Sequence, residues 1–278
     1  MTPASTTSRL ALFGQPVAHS LSPRIHAAFG AQLNIAVDYR AIEAGHAEFP
    51  AALADFARAG GIGANVTLPL KLDAFALCTS TSDRARRAGS VNTLILDGSS
   101  WRGDSTDGAG LLRDLRQRHG FDPTGRRVLL LGAGGAARAV AAALIEVGVH
   151  DLMIVNRTRV RTMELTRSLA SDCVFSCDLA KVELLDDQYD LVINATSIGH
   201  GGTTVALPPR LLARDALCYD LSYGRIAQPF IDWARAAGAA NVCDGIGMLV
   251  EQAAEAFELW HGVRPATAAI HAMVATPA

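Results

Sequence analysis

The stretch Arg127 to Ala137, RVLLLGAGGAA, constrains this chain more than any other. An apolar run of strand length passes straight into Gly132-x-Gly134-x-x-Ala137, and an alanine-rich helical pattern follows. Strand, glycine turn and helix in that order form the dinucleotide-binding arrangement of an α/β sheet. Gly132 permits a sharp turn after the strand, and Gly134 lets backbone come close to a pyrophosphate. The small Ala137 lets helix pack on strand while the helix N-terminus faces the negative charge.

A second apolar run, Leu152 to Val155, ends where an NAD-binding unit usually places an acidic residue for the adenosine ribose hydroxyls. Here Asn156-Arg157-Thr158-Arg159-Val160-Arg161 follows instead. Three guanidiniums around a helix start suit a 2′-phosphate, because each offers a planar donor fork and the helix end adds positive potential. NADP is therefore expected rather than NAD. A solvated, arginine-rich helix start is the plainer alternative.

With 278 residues, half of them hydrophobic, the chain is long enough for two compact domains. A net charge of -2 gives no overall attraction to nucleic acid or an anionic membrane. Arg84, Arg86 and Arg87 read as one solvated helix face. The first residues, Met1 to Ser8, are polar, and no apolar run approaches the length of a spanning helix, so a cytoplasmic protein is expected. Five cysteines, at 78, 173, 177, 218 and 243, form no C-x-x-C pair and indicate neither a disulfide framework nor a metal site.

Ahead of the glycine turn, strand-like runs alternate with helical patterns: Leu10-Phe13 then Pro23-Leu33, Val37-Ala41 then Ala47-Ala59, Ile62-Val66 then Leu72-Leu77. The fold class expected is α/β and two-lobed. An N-terminal α/β substrate domain (1–106) precedes a Rossmann dinucleotide-binding domain (107–244), with strands near 127–131, 151–155, 174–177, 191–194 and 216–221. C-terminal helices (245–278) then return to the first lobe, leaving a cleft between the two.

Lys71 stands out because only it and Lys181 are lysines among 25 Lys plus Arg. A partly desolvated lysine can exchange a proton where arginine cannot; an exposed lysine at a helix start is the alternative. Asp107, in GDSTDG before an amphipathic stretch, reads either as a helix N-cap or as a carboxylate beside Lys71. Ser22-Pro23 reads as an N-cap followed by proline at the first helical position. Ser20 has no such local role and could bind a carboxylate; His19 is left outside the catalytic set. Gln252, among apolar neighbours on a helical pattern, needs either a substrate hydroxyl or a backbone carbonyl as partner.

Taken together, these segments resemble the shikimate dehydrogenase family. GQPVAHSLSPRIH (14–26), NVTLPLK (65–71), AGSVNT (88–93), GDSTDG (103–108), GAGGAARA (132–139), NRT (156–158), INATSIG (193–199) and DGIGMLVEQA (244–253) each match a family motif. The resemblance implies reversible NADP-dependent oxidation of shikimate to 3-dehydroshikimate, a step toward chorismate and the aromatic amino acids, by a monomer or homodimer. It implies Lys71 and Asp107 as the catalytic pair, and Ser20, Ser22, Thr67, Asn92, Tyr223 and Gln252 around the substrate. Gly132, Gly134, Gly135, Ala136, Asn156, Arg157, Thr158, Arg161, Thr196 and Gly247 would line the cofactor. No metal is implied.

This chain departs from the family pattern at three places. Ser105 replaces the usual Asn of G-x-N-T-D, so the loop that orients Asp107 is expected to be braced differently. Tyr223-Gly224-Arg225 replaces a common Y-N-P, and Ile198 stands where smaller residues are frequent. Two competing readings keep the fold: a quinate or quinate/shikimate dehydrogenase using NAD, and a non-catalytic nucleotide-sensing protein.

Overall fold

The structure, a computed structural model, describes residues 7–275. The chain divides into two units. The first holds the described residues up to Gly110 and those from Leu249 on; the second is Leu111–Met248. No helix among the described residues is long and apolar enough to cross a membrane.

The first unit runs through β1 (Ser8–Gly14), α1 (Ser22–Leu33), β2 (Val37–Glu43), α2 (Phe49–Arg58), β3 (Gly61–Val66) and α3 (Lys71–Leu77). It continues through β4 (Ser80–Thr81), α4 (Asp83–Ala88), β5 (Thr93–Asp97) and β6 (Ser100–Asp104) into α5 (Asp107–Gln117). The sheet order is β2-β1-β3-β5-β6-β4, with β1 parallel to both neighbours and β5 antiparallel to β3 and β6. Leu10 and Leu12 of β1 pack with Val17 and Tyr39, while Ala11 and Phe13 pack with Phe49 and Leu53. Both faces of β1 are thus covered, which is why it reads as an unbroken apolar run. Of the hairpin of β5 and β6, the first strand continues the strand-like run at Val91-Asn92-Thr93, but the second has no counterpart in the sequence pattern. SWRGD carries a single large apolar residue, and its strand exists by pairing with β5.

The second unit follows with β7 (Arg127–Leu131), α6 (Gly135–Glu146), β8 (Asp151–Asn156), α7 (Arg159–Leu169), β9 (Val174–Asp178), β10 (Tyr189–Asn194), β11 (Leu212–Asp220), α8 (Gln228–Ala236) and β12 (Asn241–Cys243). Every pair in this sheet is parallel, in the order β12-β11-β10-β7-β8-β9. Taken from β9, that is the 3-2-1-4-5-6 order of a Rossmann sheet, whose switch point lies between β7 and β10. Val128 and Leu130 enter one core and Leu129 and Leu131 the other, so β7 too is apolar on both faces. Small residues of α6, Ala137 and Ala141 among them, are fully buried against that sheet.

α9 (Ile246–His261) and α10 (Ala268–Ala275) close the chain. From Leu249 on, α9 belongs to the first unit: Phe257 meets Phe29 edge-on at 5.7 Å, and the Trp260 indole donates to the Leu94 carbonyl at 3.0 Å. The change-over between units falls inside α5 and α9, after Gly110 and Met248.

Candidate active site

Lys71 is the first residue of α3, placed there by the turn that follows β3. Its Nζ donates to Asp107 Oδ2 at 2.5 Å, and the two side chains are only 13% and 6% exposed. Asp107 opens α5, yet its carboxylate turns to side chains: Oδ1 accepts from Asn92 Nδ2 at 2.9 Å. Asn92 Nδ2 also reaches Thr106 Oγ1 at 2.8 Å and Gln252 Oε1 at 3.2 Å, and Asn92 Oδ1 accepts the Thr106 N–H at 2.7 Å. Gln252 Nε2 donates to the Leu249 carbonyl at 2.8 Å. Gln252 thus finds a backbone partner for one end and the cluster for the other. Of the three ammonium hydrogens, the carboxylate takes one, leaving the others able to face a substrate oxygen.

The cluster extends through residues that the sequence did not single out. Asn65 Nδ2 donates to Thr93 Oγ1 and to the Asn92 carbonyl, both at 3.2 Å, and Asn65 Oδ1 accepts from the Tyr39 hydroxyl at 2.8 Å. Ser22 is a second neighbour of that hydroxyl. Thr67, between β3 and α3, shares the loop that delivers Lys71. Tyr223 belongs to the second unit, in the turn after β11.

Three local expectations need correcting. Ser22 is the first residue of α1, not its cap; Leu21 holds the cap position and no side chain caps the helix. Ser20 is engaged locally after all, since its Oγ accepts the Ser22 N–H and donates to Ser22 Oγ, both at 3.2 Å. Arg84 does not lie on a solvated face. It binds Asp104 and Glu255, while Arg86 pairs with Asp83 at the surface.

In the second unit the glycine turn leaves β7 at the switch point. Gly132 has φ +111°, and a Cβ there would lie 2.9 Å from the Ala195 carbonyl oxygen. Gly134 precedes α6 with open space where a Cβ would be, and no side chain caps the helix that starts at Gly135 and Ala136. A helix N-terminus reached over bare glycine backbone suits a pyrophosphate. Asn156 Nδ2 turns back to the Thr158 carbonyl at 3.1 Å, and Thr158 precedes α7 without capping it. Arg157, Arg159 and Arg161 are exposed, and no ion pair of theirs is found among the described residues. An open glycine cradle beside exposed guanidiniums fits NADP.

Thr196 is fixed by a pair the sequence did not flag. Its N–H and hydroxyl both donate to Asn194 Oδ1, at 3.2 and 2.7 Å, and Asn194 Nδ2 donates to Asp220 Oδ2 at 2.7 Å. Asp220 Oδ1 accepts the Ser222 N–H at 2.7 Å, so one carboxylate ties the loops after β10 and β11. Burial pushes this carboxyl up to about 6. Gly247 sits against Asp114, whose carboxylate a Cβ would strike at 2.0 Å. Asp114 in turn accepts from the Tyr219 hydroxyl at 2.7 Å. Asp220 carries a signal, a lone carboxylate ending the apolar strand β11, whereas Asp114, set among arginines in LLRDLRQR, carries none.

Three family models match the chain. They are the shikimate dehydrogenase substrate binding domain over residues 12–94, shikimate / quinate 5-dehydrogenase over 115–214 and the shikimate 5'-dehydrogenase C-terminal domain over 245–273. A protein of Xanthomonas campestris pv. campestris named shikimate dehydrogenase (NADP(+)) is 56% identical over 94% of this chain and 93% of its own length. Among solved structures, an Ael1 enzyme from Pseudomonas putida superposes with a TM-score of 0.88 at 39% identity, covering 97% of this chain and 99% of that one. A shikimate 5-dehydrogenase from Thermus thermophilus, in complex with NADP(H) and shikimate, gives 0.81 at 34% identity, covering 95% and 97%.

Proposed function

Since the chain belongs to the shikimate dehydrogenase family, we propose that it catalyses the reversible NADP-dependent oxidation of shikimate to 3-dehydroshikimate. The observation that carries the reading is the buried Lys71–Asp107 pair, locked to Asn92 and Gln252. When bound, the nicotinamide supplies the hydride acceptor or donor at its C4. In oxidation, neutral Lys71 Nζ takes the proton of the reacting hydroxyl; in reduction, its ammonium returns that proton to the oxygen. Asp107 holds the lysine by Oδ2 and offers the substrate's neighbouring hydroxyl an acceptor. Asn92 and Gln252 fix the ring by its other hydroxyls, and Ser20, Ser22 and Thr67 surround its carboxylate side.

On the second unit, Gly132, Gly134, Gly135 and Ala136 would hold the pyrophosphate, and Asn156, Arg157, Thr158 and Arg161 the phosphorylated ribose. Thr196 and Gly247 would lie toward the nicotinamide, and Tyr223 would be a substrate contact. A cytoplasmic monomer or homodimer completes the proposal, and five free cysteines suit a reducing compartment.

The test is the initial rate of nicotinamide reduction with shikimate or quinate, each against NADP and NAD, with Lys71→Ala alongside. Turnover of shikimate with NADP, reduced about 10²- to 10⁴-fold in the mutant while NADP still binds, is expected. Turnover mainly of quinate or with NAD would overturn the specificity. NADP binding without any turnover would favour the sensing protein.

A further inference from the structure

A chain of alternating charges runs behind the catalytic cluster, entirely within the first unit. Asp104 Oδ1 accepts from Arg84 Nε at 2.6 Å, and Arg84 donates through a second nitrogen to Glu255 Oε1 at 2.7 Å. Glu255 Oε2 accepts from Arg264 at 2.6 Å, Arg264 also donates to Glu251 Oε2 at 2.9 Å, and His271 Nε2 meets Glu251 Oε1 at 3.0 Å. Asp104 and Glu251 are buried. Burial alone would raise the Asp104 carboxyl, but Arg84 and Ser82 outweigh it and hold it below the usual range. Apolar packing would stabilise these elements as well as buried ions do, so stability does not account for the arrangement. What charges add is a fixed geometry, and the two ends of this chain sit where geometry matters.

Asp104 lies three residues before Asp107, and its Oδ1 also takes the Ser105 N–H at 2.7 Å and the Ser82 hydroxyl at 2.6 Å, turning the chain out of β6 toward Thr106. No hydrogen bond of the Ser105 hydroxyl is found among the described residues, so the bracing falls to Asp104 on one side and Asn92 on the other. Glu251 and Glu255 flank Gln252 on α9. A single guanidinium therefore joins the backbone that delivers Asp107 to the helix that delivers Gln252, touching neither side chain.

We propose that Arg84 is a positioning residue for the reaction: by bridging Asp104 and Glu255 it sets the placement of Asp107 and Gln252 around Lys71. The proposal rests on the dehydrogenase reading above. Misplacement by about 1 Å suffices to lower turnover some hundredfold. Arg84→Ala is expected to cut kcat about 10- to 100-fold with KM for NADP unchanged, because the nucleotide turn lies in the other unit. Arg84→Lys keeps the charge but not the fork and is expected to recover part of kcat.

Rates are taken well below the lowest melting midpoint, and NADP binding to each variant is titrated separately. Unchanged kcat in a folded Arg84→Ala with only a lowered midpoint would overturn the proposal. Should that variant fail to fold, Glu255→Gln, which keeps the side-chain shape, decides by the same split: a fall in kcat upholds the proposal and an unchanged kcat ends it. A wild type without turnover would sink the functional reading instead.

Discussion

Around Lys71 the polar side chains of the first unit hold one another. Both oxygens of Asp107 are taken, the Asn92 side chain binds Thr93, Thr106, Asp107 and Gln252, and little of the cluster is exposed. The turn after β7 in the second unit does the reverse. It is built from glycine and a helix N-terminus, and its nearby arginines extend from the surface without ion pairs among the described residues. One region is assembled before a ligand arrives; the other is a backbone shape plus loose charges. Substitutions in the first should therefore act on kcat, through geometry in the transition state, and those in the second on KM for the nucleotide.

The sharpest test of that division is Asp107→Ala. It removes the partner of Lys71 and one of the acceptors of the Asn92 amide, so kcat is expected to fall about 10²- to 10³-fold while the dissociation constant for NADP stays put. A loss confined to nucleotide affinity would break the comparison. Arg157→Ala and Arg161→Ala should behave conversely. Each would remove one proposed, exposed phosphate contact, raising KM for NADP about tenfold, leaving kcat alone and narrowing the preference over NAD. Added salt should shrink the difference between wild type and variants. A kcat effect larger than the KM effect would show that these arginines do more than hold phosphate.

How much of this the sequence discloses depends on whether a residue acts locally. The glycine turn and the parallel sheet are legible because Gly132, Gly134 and Ala137 act on their own neighbours along the chain. Lys71 is legible through its rarity. Arg84 misleads because R-A-R-R looks like a solvated face, and only its fold partners Asp104 and Glu255, 20 and 171 residues away, show otherwise. Thr106 and Asn65 are equally silent: a threonine beside a candidate acid and an asparagine ending a strand have no pattern until β3, β5 and β6 bring them together. Ser22 fails for a smaller reason. Ser-Pro fits a cap followed by proline, but the helix starts one residue earlier.

The two units should also differ in how acid acts on them. In the first, His26 is fully buried and stacked on Tyr39 at 4.3 Å, and burial, outweighing a hydrogen bond with Asn65, pushes it down to about 3. A depressed value means the neutral form is favoured on folding. Its contribution is complete above the unfolded value near 6.5 and declines as pH falls toward about 3, by about 2 kcal/mol between pH 7 and pH 5. In the second unit Asp220 is raised to about 6, so its contribution is complete below about 4 and declines as pH rises through 6. Between pH 7 and pH 5 it should return about 1 kcal/mol, the opposite sign. Melting of Asp220→Asn against wild type at both values isolates that contribution. The advantage of the variant should be about 1 kcal/mol greater at pH 7 than at pH 5, and His26→Phe should show the reverse trend. Parallel pH dependence in both variants would mean that Asp220 is ionised at little cost, and that the loops after β10 and β11 are held by a charge rather than by a carboxyl poised to lose one.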